Sequence, residues 1–110
     1  MNDKTNNTGG LNKSDLENII SILKKENKIE SAYLFGSRAK GNYKNGSDVD
    51  IVLKGKQIDH SLISHISYLL NEETLMPYRF DVAGYDKIKS SELLSHIDRK
   101  GKLLFSRMQK

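Results

Sequence analysis

Acidic and aliphatic residues alternate in the short run from Asp48 to Leu53. Successive side chains of a β-strand point to opposite faces, so the pattern places Asp48 and Asp50 on one face and the aliphatic side chains on the other. The Cα atoms of the two aspartates then lie about 6.5–7 Å apart. Carboxylates this close repel each other unless a cation lies between them, and Mg²⁺ prefers oxygen ligands together with substrate phosphates. The run is therefore predicted to bind a divalent metal ion.

A glycine–serine pair precedes these aspartates and follows the apolar run Ala32-Tyr33-Leu34-Phe35, which is typical of a buried strand. Gly36 can adopt backbone angles that are closed to other residues and lets a phosphate approach the main chain. A short helix that begins at Ser37 would present free N–H groups to an anion. A phosphate site beside a metal-binding pair is the arrangement needed to move a nucleotidyl or phosphoryl group.

The run Tyr78–Ala83 contains a third candidate carboxylate. In this run, aromatic and aliphatic residues alternate with Arg79 and Asp81. Asp81 lies on the face opposite Phe80 and is the natural third carboxylate if this strand lies beside the Asp48–Leu53 strand. Asp86 is the competing candidate, but it falls in a predicted turn.

The segment Leu34-Phe35-Gly36-Ser37-Arg38-Ala39-Lys40-Gly41, joined to Ser47-Asp48-Val49-Asp50-Ile51, resembles the nucleotidyltransferase superfamily related to DNA polymerase beta. The resemblance is greatest to the small stand-alone members, the minimal nucleotidyltransferases of the MntA antitoxin type. A Walker-type phosphate loop is excluded, because Asn42 rather than lysine follows Gly41.

The resemblance implies roles for six residues. Asp48 and Asp50 would hold two Mg²⁺ ions, and Asp81 would complete one metal site and act on the acceptor hydroxyl. Gly36 and Ser37 would bind the phosphates of ATP. Arg38 is predicted to join them through its guanidinium group, although a structural ion pair with an acidic residue is an equal alternative.

The elements that position these residues predict an α/β (α+β) domain, with a small mixed sheet and helices against one face. Residues 1–12 are predicted to form a disordered tail, and residues 13–110 form the nucleotidyltransferase domain. The predicted elements are a helix capped by Ser14 and running to about Lys28, a strand at 31–35, a helical turn at Ser37–Lys40, a strand at 48–53, a helix from the cap Asp59 to about Asn71, a strand at 78–83, and a last helix capped by Ser90 or Ser91 with Gly101 as its C′ residue.

Composition limits the alternatives. The 110 residues suit one domain, and the absence of cysteine excludes disulfides and thiolate chemistry. No apolar run is long enough to cross a membrane and no signal region begins the chain, which predicts a cytoplasmic protein. The net charge of +4 is modest, and without an aromatic stacking motif or a basic run, direct binding of nucleic acid is not expected.

The resemblance also suggests the acceptor. Minimal family members include antitoxins that transfer AMP to a tyrosine of a partner HEPN-type ribonuclease toxin, and this short chain leaves little room for an acceptor-binding domain of its own. The rival hypothesis is a non-catalytic antitoxin that neutralises its toxin by forming a complex with it.

Overall fold

The computed structural model describes residues 8–44 and 46–107. Its elements are α1 (Lys13–Lys24), β1 (Ser31–Phe35), the single-turn α2 (Ser37–Lys40), β2 (Val49–Lys54), α3 (His60–Glu72), β3 (Phe80–Gly84), a 3₁₀ turn (Tyr85–Lys87), α4 (Ser91–Lys100) and β4 (Lys102–Ser106). None of these helices is both long and apolar enough to cross a lipid bilayer.

The four strands form one sheet in the order β3-β2-β1-β4. The pairs β1–β2 and β1–β4 are antiparallel, whereas β2 and β3 are parallel and are connected through α3. The sheet is therefore mixed, and the predicted fold class is confirmed. The parallel pair matters most for the site, because it brings equivalent positions of β2 and β3 side by side.

The larger core lies on the face of the sheet that α1 and α3 cover. Strand residues with one parity, such as Leu34 and Ile51, pack there against helix residues such as Ile19 and Ile66. Residues of the opposite parity face the other way, and this second face carries a smaller core that includes Phe35, Val52, Ile97 and Leu93.

The prediction that all helices lie against one face was wrong. Phe35 and Val52 are apolar residues on the second face and need a cover, which α4 supplies through Ile97. The α4 helix is amphipathic enough to be predicted from the sequence, but the pattern does not say which side of the sheet it will cover.

The start of the domain also differs from the prediction. The cap of α1 is Asn12 rather than Ser14: its side chain accepts from the Asp15 N–H (2.8 Å), and the Asp15 carboxylate accepts from the Asn12 N–H (3.2 Å). Leu11 is fully buried, so residues 8–12 belong to the domain rather than to a disordered tail. The remainder of that predicted tail, residues 1–7, lies outside the described residues.

Several helix boundaries also differ from the prediction. The α1 helix ends at Lys24 rather than near Lys28, and the guanidinium group of Arg107 binds the carbonyl groups of Lys24, Glu26 and Ile29 just beyond that end. Gly101 follows α4 with φ −60°, so it is not the left-handed C′ residue that was predicted. The predicted caps Asp59 and Ser90 both bind the N–H groups expected of them.

The corrected helix start gives a direct test. Asn12→Ala removes the capping box and should lower the free energy of unfolding by about 1 kcal/mol. Ser14→Ala, at the cap predicted from the sequence, should change it by less than about 0.5 kcal/mol, since Ser14 is exposed inside the helix. Urea denaturation of both variants measures the difference, and an equal loss for the two would contradict the assigned cap.

Candidate active site

The parallel pairing of β2 with β3 sets Asp50 directly beside Asp81. Asp50 shares its strand parity with Val52, and Asp81 shares its parity with Ala83, so both lie on the second face of the sheet. Asp48 immediately precedes β2. The structure therefore brings together the three carboxylates that the sequence analysis singled out, with Asp50 half-buried and the other two exposed.

The surroundings of Asp50 change the pKa of its carboxyl group. Burial, followed by the negative charges of Asp81 and Asp48, raises the pKa of Asp50 from 3.8 to about 6, while the positive charge of Arg38 acts in the opposite direction. The site thus holds more negative charge than the protein itself neutralises. A divalent cation would relieve this repulsion.

The glycine–serine turn lies against the same aspartate. Phe35, the last residue of β1, pairs with Asp50, and Gly36 then turns the chain with φ 77° and ψ −154° into α2, which begins at Ser37. This backbone conformation is essentially restricted to glycine. A Cβ atom on Gly36 would overlap the Asp50 carboxylate. Glycine at this position therefore allows the turn and the carboxylate to stay in contact.

Arg38 is buried, and its guanidinium group is occupied by main-chain carbonyls. It donates to the Ser47 carbonyl from Nε (3.1 Å) and Nη2 (2.9 Å), and to the Gly9 carbonyl from Nη1 (2.8 Å). Its guanidinium carbon also lies 5.0 Å from the ring centre of Tyr43 and 5.1 Å from that of Tyr78. This placement favours a structural role, although the partners are carbonyl groups and aromatic rings rather than the acidic residue that was expected.

His96 was missed in the sequence analysis. Its Nε2 atom accepts a hydrogen bond of 2.9 Å from the main-chain N–H of Gly36, and its ring packs edge-on against Phe35. Nothing in the sequence could have indicated this, because the two residues lie 60 positions apart and His96 occurs within an ordinary amphipathic helix.

In residues 8–44 and 46–107, no group of three or more acidic, histidine or cysteine side chains is already arranged to hold a metal ion. The three carboxylates nonetheless fit Mg²⁺ by chemistry, because this ion binds through one or two carboxylates, water and substrate phosphates rather than in an all-protein cage. The raised pKa of Asp50 is consistent with this fit, since burial and then the negative charges of Asp81 and Asp48 both disfavour the ionised carboxylate, which a bound cation would stabilise.

Residues 17–110 match the sequence model of the family "Polymerase beta, Nucleotidyltransferase". The match covers most of the chain and includes all six residues predicted to form the site. The chain belongs to this nucleotidyltransferase family. Among proteins of curated function, none matches it.

Solved structures of toxin–antitoxin complexes share the fold. A toxin–antitoxin structure with AMP-PNP has a TM-score of 0.70 at 24% identity, covering 86% of this chain and 76% of that one. An MNT antitoxin in complex with a tri-AMPylated HEPN toxin of Shewanella oneidensis has a TM-score of 0.65 at 21% identity, covering 88% and 74%. An MntA–HepT complex has a TM-score of 0.64 at 21% identity, with the same coverage.

A cavity of about 720 Å³ in this nucleotidyltransferase borders the site on one side only. It runs along the outer edge of β3 against α3, and Asp81 is the one site carboxylate among its lining residues. The cavity does not include the Gly36–Ser37 turn. The position of the site is therefore given by the strand register and by the raised pKa of Asp50 rather than by this cavity.

The raised pKa of Asp50 makes a prediction about stability. The folded-state pKa exceeds the unfolded value, so ionisation of Asp50 destabilises the metal-free fold as the pH rises from 3.8 to about 6, and this cost persists above that range. Asp50→Asn should therefore raise the melting temperature at about pH 7.5 by about 2–6 °C in buffer that contains a chelator.

This advantage of Asp50→Asn should shrink as the pH falls towards 4, where the wild-type carboxyl is protonated. Glu17→Gln, on the exposed surface of α1, is the matched control and should show no such pH dependence. A gain of equal size at every pH would rule out the proposed charge repulsion.

Two glycines with positive φ flank α2 and differ in their surroundings. Gly36 and Gly41 both have positive φ (77° and 92°), but a Cβ on Gly41 would meet no atom within 4 Å. Both alanine variants should be destabilised, and Gly36→Ala should lose at least about 1 kcal/mol more, because its ψ of −154° is less accessible to alanine than the left-handed conformation of Gly41 and because its Cβ also displaces the Asp50 side chain. Urea denaturation measures this difference, and equal losses would contradict it.

Proposed function

We propose that this nucleotidyltransferase transfers AMP from ATP to a hydroxyl group in a Mg²⁺-dependent reaction, and that the acceptor is a tyrosine of a HEPN-type partner toxin. The observation that carries the proposal is the register of β2 and β3, which sets Asp50 beside Asp81, next to Asp48 and in contact with Gly36. The protein would act as an antitoxin by modifying its partner.

Five of the six predicted site residues have a role in this proposal. Asp48 and Asp50 would hold Mg²⁺, and Asp81 would complete one of two metal sites. The ions would neutralise charge on the phosphates of ATP and favour departure of pyrophosphate. The main chain at Gly36 and the side chain and N–H of Ser37 would bind the β- and γ-phosphates, because the first N–H groups of a helix have no partner within it.

The proposed reaction is a single displacement. The acceptor hydroxyl oxygen attacks the α-phosphorus, forming a new P–O bond, while the bond between the α-phosphorus and the bridging oxygen breaks and pyrophosphate leaves. The hydroxyl proton passes towards Asp81. Asp81 is suited to this step because its side chain is exposed and it borders the cavity beside β3.

The choice of acceptor rests on the similar structures. One similar chain comes from a complex of a tri-AMPylated HEPN toxin with an MNT antitoxin, and another comes from a toxin–antitoxin structure with AMP-PNP. These partners and ligands belong to those proteins, and at 21–24% identity the likeness to this chain is one of fold. They make a protein hydroxyl the first acceptor to test.

The decisive measurement is the intact mass of the protein encoded by the adjacent gene after incubation with this protein, ATP and Mg²⁺. We expect a gain of one or more adenylyl groups, which chelator should abolish. Asp48→Ala and Asp50→Ala should each reduce the rate by at least about 100-fold, because each removes a proposed metal ligand.

Asp81 and Asp86 provide a matched pair of controls. Asp81→Asn should reduce transfer by about 100-fold or more, whereas Asp86→Asn, on the 3₁₀ turn outside the β2–β3 pair, should leave it nearly unchanged. If the toxin gains no mass yet is still neutralised by Asp50→Ala through a stable complex, the non-catalytic antitoxin is the correct alternative.

A further inference from the structure

The turn that begins α2 is held from outside by one side chain. The N–H of Gly36 donates to Nε2 of His96 on α4, at 2.9 Å. No side chain caps α2 by a hydrogen bond. His96 is therefore the side chain that fixes the main chain at the point where β1 ends and the glycine–serine turn begins.

The need for this hydrogen bond follows from the position of Gly36. The β1 strand pairs with β2 as far as Phe35, so the next N–H lies beyond the last pair of that ladder. A partly buried main-chain N–H without an acceptor is costly. The imidazole supplies the acceptor, and it thereby fixes the plane of the peptide between Phe35 and Gly36. The other side of Gly36 contacts the Asp50 carboxylate.

Only the neutral imidazole can fill this role, because protonation places a hydrogen on the accepting Nε2 atom. Burial, together with the positive charges of Lys40 on α2 and of Arg99 and Lys100 on α4, lowers the pKa of His96 below its usual 6.5. The ring packs on Phe35 of β1, which carries no charge. The groups that surround His96 therefore keep it neutral near pH 7.

We propose that His96 is a positioning residue, which holds the Gly36–Ser37 turn in the form that binds the nucleotide phosphates. The proposal rests on the proposed function of this turn and adds a residue outside the six predicted from the sequence. His96 acts through the Gly36 peptide: its hydrogen bond is to Gly36 and its ring contact is to Phe35 rather than to the carboxylates.

The first test is the affinity for AMP-PNP with Mg²⁺, measured by calorimetry. His96→Leu removes the acceptor and should weaken binding roughly tenfold, the effect expected when one hydrogen bond to a partly buried group is lost. His96→Gln can present an amide oxygen to the Gly36 N–H and should restore affinity to within about threefold of the wild type. His65→Leu, at an exposed histidine of α3, is the matched control and should have no effect.

The second test uses pH and remains valid if His96→Leu fails to fold. The amide of His96→Gln does not titrate, so the ratio of wild-type to His96→Gln affinity should fall as the pH is lowered from about 7.5 and His96 becomes protonated. Both proteins retain Asp50, so the ratio removes the part of the pH dependence that they have in common. A constant ratio, or equal AMP-PNP affinity in folded His96→Leu and wild type, would overturn the proposal.

The inference and the proposed function fail in different ways. If the His96 variants change AMP-PNP affinity as expected but the wild type adenylylates no partner, the acceptor assignment is wrong and the positioning role stands. If the wild type adenylylates its partner while AMP-PNP affinity is insensitive to His96, the positioning role is wrong and the proposed function stands. The amide NMR signal of Gly36 provides a third readout and should shift in His96→Gln and His96→Leu but not in His65→Leu.

Discussion

Burial of Asp50 beside two further carboxylates is the constraint on which the site depends. The parallel register of β2 and β3 sets Asp50 beside Asp81, and Asp48 adds a third negative charge. An arrangement of this kind costs folding free energy in the absence of a cation. The fold meets that cost with well-packed strands on the opposite face, where Val49, Ile51 and Leu53 are all fully buried. The larger core thus lies on one face of the sheet, and the charges lie on the other, beside the smaller core.

A polar network next to the site binds Gly9, near the first of the described residues. Asp15 accepts a hydrogen bond of 2.7 Å from the Tyr78 hydroxyl, and the Tyr78 ring stacks on the Arg38 guanidinium group. Arg38 in turn holds the carbonyl groups of Gly9 and Ser47. Because Ser47 directly precedes Asp48, this network fixes the approach of the chain to the carboxylates. Arg38 is therefore better understood as an organiser of the loop than as a phosphate ligand.

The sequence predicted those features that depend on local pattern. Period-two alternation placed Asp50 and Asp81 on the right faces of their strands, and the glycine–serine pair marked the end of β1. Features that depend on contacts between distant segments could not be predicted in this way. The Gly36–His96 hydrogen bond, the carbonyl partners of Arg38 and the packing of α4 on the second face all join residues that no periodicity relates.

Competition between similar local signals explains the smaller errors. Ser14 and Glu17 have the spacing of a capping box, but so do Asn12 and Asp15, and the structure uses the second pair. The burial of Leu11 decides between them, because it anchors the chain one residue before Asn12 and so sets where the helix can begin. A tertiary contact therefore selected between two caps of comparable intrinsic strength.

The incomplete cover of the second face bears on how an acceptor reaches the site. The α4 helix packs on β1 and supports the Gly36 turn, but Asp48 and Asp81 remain exposed, and the cavity beside Asp81 opens along the outer edge of β3. A small acceptor would need walls that orient it, whereas a folded protein brings its own surface and can present a tyrosine to an open site. The open geometry around Asp81 therefore suits a protein acceptor, because the partner itself would exclude water and complete the site when it docks.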